Sequence, residues 1–68
     1  MKNTIRIERA VKNITQAELA EKVGVSRQTI HSIESNKYIP STVLALKIAR
    51  VFDKGVEEIF SLEDSELN

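Results

Sequence analysis

The chain has 68 residues, with ten basic and ten acidic side chains, one histidine and no cysteine. That length holds one domain, 1–68, with a core that is marginal alone, and the composition excludes disulfides, thiolate metal sites and a histidine-built metal centre. No apolar run suits a membrane span or a secretory signal, so the chain reads as cytoplasmic, with no membrane partner.

Glycine and proline are limited to Gly24, Gly55 and Pro40, a composition that favours helices. A first helix is predicted from Thr4 to Lys12. Its apolar residues Ile5, Ile7, Ala10 and Val11 do not form one clean stripe. The second helix begins more clearly. Thr15 and Glu18 have capping-box spacing, and Ile14 with Leu19 has the spacing of a hydrophobic staple. Leu19, Ala20 and Val23 mark its buried face, and Gly24 suits the left-handed residue that ends it. Ser26 caps a third helix, where Val25 and Ile30 repeat the staple. This helix is expected to end near Ser35 or Asn36. The two helices and their turn span residues 15–35, a helix-turn-helix pattern.

Lys37 to Pro40 reads as a loop, because Pro40 moves Ile39 away from helical geometry. Ser41 or Thr42 caps a fourth helix carrying Val43, Leu44, Leu46, Ile48, Ala49, Val51 and Phe52. Apolar around much of its circumference, it reads as central or partly covered by a partner. Asp53-Lys54-Gly55 breaks it, and Val56 to Phe60 supplies one more turn. The tail, 61–68, is either a short strand or a frayed end. Charge is uneven: residues 1–56 hold all ten bases against five acids, and residues 57–68 hold the other five acids and no base. DNA affinity depends on local positive charge near phosphates, so the neutral total is no obstacle to it.

Placing Arg27 at zero on the third helix puts His31 near ~40°, Gln28 near ~100° and Ser32 near ~140°. Ile33 and Ile30 fall near ~240° and ~300°, on the opposite side. One side is anchored and the other carries hydrogen-bonding groups. Arginine can meet guanine O6 and N7, and glutamine can meet adenine N6 and N7. Arg27, Gln28 and Ser32 are the candidate base contacts, with His31 a further groove contact. Gln16, in the first turn of the second helix, and Asn36 and Lys37, just past the third, are candidate phosphate contacts. Tyr38 and Phe52 read as packing residues.

These residues resemble the Cro/C1-type helix-turn-helix family, the phage-repressor-like class. The likeness rests on Thr15-Gln16-Ala17-Glu18-Leu19-Ala20, Gly24-Val25-Ser26-Arg27-Gln28-Thr29-Ile30 and Ile33-Glu34. It continues through Asn36-Lys37-Tyr38-Ile39-Pro40-Ser41 and Leu46-Lys47-Ile48-Ala49 to Glu57-Glu58-Ile59-Phe60, covering about residues 4 to 60. The resemblance implies an all-α, five-helix DNA-binding domain with, in some short members, paired terminal strands near Phe60 to Leu62. It implies a homodimer on pseudo-palindromic double-stranded operator DNA, and the base and phosphate contacts named above. It also implies an ion pair between Arg9 and Glu34. Two departures stand out. Glu8 occupies a usual core position and Val11 a usual polar one, while Lys54-Gly55 replaces a small-then-apolar turn.

The leading expectation is therefore a sequence-specific transcriptional regulator, a repressor. The alternative is an antitoxin or protein-partner module in which DNA binding is secondary. No carboxylate pair, phosphate loop or nucleophile set points to an enzyme. No cofactor or small-molecule ligand is indicated.

Overall fold

In the computed structural model, which describes residues 1–67, the two ends of the chain meet. Strand β1 (Lys2–Asn3) pairs antiparallel with β2 (Phe60–Ser61), Lys2 opposite Ser61 and Asn3 opposite Phe60. Between them come α1 (Ile5–Lys12), α2 (Gln16–Val23), α3 (Arg27–Glu34), α4 (Thr42–Val51) and α5 (Val56–Ile59). The expected all-α domain with a short terminal strand is therefore what forms. Asn68 of the predicted tail lies outside the described residues.

The predicted caps hold α2, α3 and α4 in place. The Glu18 N–H donates to Thr15 Oγ1 at 3.0 Å, and the Thr15 N–H donates to Glu18 Oε1 at 2.9 Å. Ser26 Oγ accepts from the Thr29 N–H, and Ser41 Oγ from the Leu44 N–H, each at 3.2 Å. Thr4 is the residue before α1 rather than its first, and its hydroxyl does not cap. Its N–H instead donates to the Ile59 carbonyl at 2.9 Å, extending the tie between the termini.

Helix ends share one device. Asn13, Gly24, Asn36 and Asp53 follow α1, α2, α3 and α4 with φ of 56°, 77°, 61° and 53°. In this left-handed conformation the chain turns sharply while its amides reach back to the last carbonyls. After α3 the Asn36 N–H donates to the Ile33 carbonyl at 3.0 Å and the Lys37 N–H to the Ser32 carbonyl at 2.9 Å. Glycine adopts such angles freely, and asparagine and aspartate more readily than other side chains.

The core gathers Ile5, Leu19, Ala20, Val23, Ile30, Ile33, Leu44, Ile48, Ala49, Phe52, Ile59 and Phe60. Helix α2 packs on α3 and α4, and α4 packs on α5. The staple residues Ile14 and Val25 lean on this core half-buried. Helix α4 is less enclosed than its composition suggests. Leu44, Ile48 and Ala49 face inward, while Val43 and Leu46 are exposed.

Helix α1 answers the two departures together. Glu8 is buried, and its Oε2 accepts from Lys54 Nζ at 2.7 Å. The unusual acid in α1 and the unusual lysine before α5 are thus partners. Ile7 and Val11 lie on the outer face, 63% and 76% exposed. The tail beyond β2 is ordered into a turn of 3-10 helix over Asp64–Glu66, and Glu66 pairs with the N-terminal ammonium at 2.8 Å.

Candidate nucleic-acid interface

Two buried isoleucines decide how α3 is turned. Ile30 and Ile33 are at most 1% exposed, so the opposite side of the helix must face outward. Arg27, Gln28 and His31 are exposed there, and Ser32 is half-buried beside them. Ser35 turns back on its own helix, its hydroxyl donating to the His31 carbonyl at 2.9 Å. The outward groups begin in the first turn of α3, the end a major-groove helix presents to base edges.

Clefts lie on both flanks of these side chains. One, of about 230 Å³, is lined by Gln28, Thr29, Ser32, Lys37 and Tyr38. Tyr38 is half-exposed in it, so it packs with one side only, whereas Phe52 is buried as expected. Thr29 joins the cleft although sequence reasoning passed over it. Its position one turn before Ser32 and beside Gln28 was the available signal. The other cleft, of about 500 Å³, includes Arg9, Asn13, Thr15, Gln16, Ala17 and Arg27. It brings Arg27 against the start of α2, where first-turn amides and the helix dipole favour an anion.

One donor of Gln16 is engaged from beneath. Its Nε2 donates to Glu34 Oε1 at 3.2 Å, so the side chain is turned to an interior carboxylate. What it offers outward is the backbone amide of the first turn and the second N–H of its side chain.

Glu34 is the polar centre beneath the surface. Its side chain is 1% exposed and meets Arg9 through Nε at 2.6 Å and Nη2 at 3.2 Å. Arg9 also donates from Nη1 to the Ile14 carbonyl at 3.1 Å. Burial pushes the Glu34 pKa up, but the bonds from Arg9 and Gln16, with the charges of Arg9 and Arg6, outweigh it and hold the carboxyl below its ordinary value. One carboxylate thus ties α1, the start of α2 and the end of α3 into a fixed relation.

Asn36 and Lys37 are exposed just past α3. A residue that sequence reasoning missed reaches this corner from β1. Asn3 Nδ2 donates to the Ile33 carbonyl at 2.9 Å and to Asn36 Oδ1 at 3.1 Å. Its signal was an asparagine two residues before a helix start, the spacing of an Asx turn. Among the described residues no group of three or more His, Asp or Glu is placed to hold a metal ion. No helix among them is long and apolar enough to cross a membrane.

The chain is similar to known proteins. Residues 5–59 match the helix-turn-helix family model. An uncharacterized HTH-type transcriptional regulator of Methanocaldococcus jannaschii is 54% identical over 66 residues, covering 97% of this chain and 100% of the relative. Another, from Archaeoglobus fulgidus, is 52% identical over 67 residues, 98% of this chain and 96% of the relative. A third, from Bacillus subtilis, is 45% identical over 64 residues, 94% and 97% of the two chains. Among solved structures, the P22 c2 repressor in complex with a synthetic operator superposes with a TM-score of 0.75 at 28% identity. That likeness covers 78% of this chain and 80% of the repressor.

Proposed function

The chain belongs to the Cro/C1-type helix-turn-helix family of DNA-binding transcriptional regulators, and from this we propose that it is a repressor that reads a pseudo-palindromic operator as a homodimer. The observation that carries the reading is the orientation of α3. Buried Ile30 and Ile33 turn Arg27, Gln28 and Ser32 outward, and His31 stands between them. Arg27 and Gln28 are assigned to base edges, Ser32 to a third base contact and His31 to the groove wall. The first turn of α2 at Gln16, with Asn36 and Lys37, is assigned to phosphates on either side. The operator-bound P22 c2 repressor supports double-stranded DNA as the partner.

A second copy is expected to place its α3 about 34 Å away, one turn of DNA. Exposed Val43 and Leu46 on α4 supply apolar surface for it. The same surface favours the second reading, a protein-partner or antitoxin role, and co-purification of a neighbouring gene product would support that instead.

The test begins by selecting bound sites from random DNA, then measuring Arg27→Ala and Gln28→Ala on the selected site. Each variant should lose about 5–100-fold in affinity and relax one position of the site. Lys37→Ala should weaken all sequences alike and flatten the salt dependence by about one phosphate contact. Unchanged affinity and preference in both α3 variants would remove them from the reading face.

A further inference from the structure

Asn3 is connected on every side. Its Oδ1 accepts from the Ile5 N–H at 3.1 Å, opening α1 with an Asx turn. Its Nδ2 donates to the Ile33 carbonyl at 2.9 Å, in the last turn of α3. Both partners are backbone groups with one possible role each, a donor and an acceptor. They therefore fix which way round the Asn3 amide lies. The second Asn3 N–H then meets Asn36 at 3.1 Å, and only the Asn36 oxygen can accept it. The Asn36 amide is planar, so with Oδ1 toward Asn3 its NH2 group is turned away, on an exposed residue. Its backbone is also held, at φ 61°, by the bonds that close α3.

We propose that Asn3 is a positioning residue for DNA binding, which sets the Asn36 amide with its donor side toward a phosphate of the bound strand. The proposal rests on the assignment of Asn36 to a phosphate. A phosphate oxygen accepts hydrogen bonds and never donates them, so an amide turned the other way would present oxygen to oxygen. Asn3 in turn is held by the terminal strands, since it sits opposite buried Phe60 in the β1–β2 register. The chain ends, far from the helix-turn-helix in sequence, thereby act on one contact beside the recognition helix.

The experiment is a double-mutant cycle, read as anisotropy binding to the selected operator at a temperature where circular dichroism shows every variant folded. Asn36→Ala should weaken binding about 5–10-fold, and Asn3→Ala about 3–10-fold, with base preference unchanged. In the Asn36→Ala background, Asn3→Ala should cost less than about 2-fold. Asn3→Asp sharpens the test, because a carboxylate accepts and would turn the Asn36 NH2 inward. It should bind worse than Asn3→Ala, and the part of the difference that runs through Asn36 should vanish when Asn36 is alanine, leaving the repulsion between the new charge and DNA. A purely structural role for Asn3 would give losses that multiply, and that result overturns the positioning role alone. Wild-type affinity in Asn36→Ala overturns the phosphate assignment and the proposal with it. Wild-type affinity in Asn3→Ala, with Asn36→Ala impaired, overturns only the proposal.

Discussion

Helix α1 and the α2–α3 pair are attached to the same core by opposite means. The pair contributes Leu19, Ala20, Val23, Ile30 and Ile33, all buried apolar residues. Helix α1 contributes Ile5 and, beyond it, charge: Arg9 to Glu34 at 2.6 Å and Glu8 to Lys54 at 2.7 Å. Apolar burial is non-directional and tolerates small shifts, whereas a buried ion pair demands geometry and leaves a stranded charge when half of it is lost. The helix-turn-helix unit is thus secured by packing. The helix that steadies it is secured by specific contacts, one of which ends on the same Glu34 that orients Gln16.

The largest effect should come from breaking the packed side. Ile30→Ala should cost about 3–4 kcal/mol, from the lost transfer free energy and the cavity left behind. That is a large share of what a domain of this size holds. Urea unfolding followed by circular dichroism would measure it, and operator binding should fall with the folded fraction. The corresponding truncation on the open side of α1, Val11→Ala, should stay within about 0.5 kcal/mol.

Next comes the charged side. Glu34→Ala leaves Arg9 with no carboxylate in a site where its side chain is 16% exposed, and should cost about 3 kcal/mol. Replacing both partners, Arg9→Met with Glu34→Leu, should recover much of that loss. Acid makes the same comparison without mutation. Folding lowers the Glu34 pKa beneath the ordinary 4.5, so the native state binds fewer protons than the unfolded chain just below that value. The stabilisation is complete above about pH 4.5 and is lost as the pH falls through the lower, folded value. The difference in urea midpoint between wild type and Glu34→Gln should therefore shrink from pH 7 to pH 3. A constant difference would mean that the carboxylate charge contributes nothing.

Glu8 should behave differently, because Lys54 remains half-exposed. Glu8→Leu, with its apolar side chain on the core side of α1, should leave the melting temperature level or raise it, while Glu8→Ala should lower it. A drop for Glu8→Leu as deep as that for Glu8→Ala would show that the pair, not the volume, holds α1.

The same contrast explains what the sequence made legible. The α2–α3 unit could be read from local signals: Thr15 with Glu18, Ser26, Gly24, and isoleucines at helical spacing. Each acts within a few residues, and the structure forms all of them. The face of α1 could not be read that way. Its buried acid makes sense only with Lys54, 46 residues away, and no periodicity carries that information. Gln16 is a phosphate candidate from its place in the first turn of α2, and nothing local shows that Glu34 takes one of its side-chain donors. Asn3 carried only the local signal of an Asx turn, since the rest of its role depends on Ile33 and Asn36 across the fold.

The smallest expected effect compares the ends of α1 and α2. Both turn through a left-handed residue, Asn13 at φ 56° and Gly24 at φ 77°. A Cβ on Gly24 would meet nothing within 4 Å, so Gly24→Ala tests conformation without a clash. It should cost about 1 kcal/mol, the strain of a left-handed alanine. Asn13→Gly runs the other way: it relieves a smaller strain but loosens the unfolded chain, and the two should nearly cancel, within about 0.5 kcal/mol. Thermal melts of the two variants would decide it. A large loss for Asn13→Gly would mean that the Asn13 side chain holds α1 as its ion pairs do, making this end of α1 a further polar attachment rather than a plain turn.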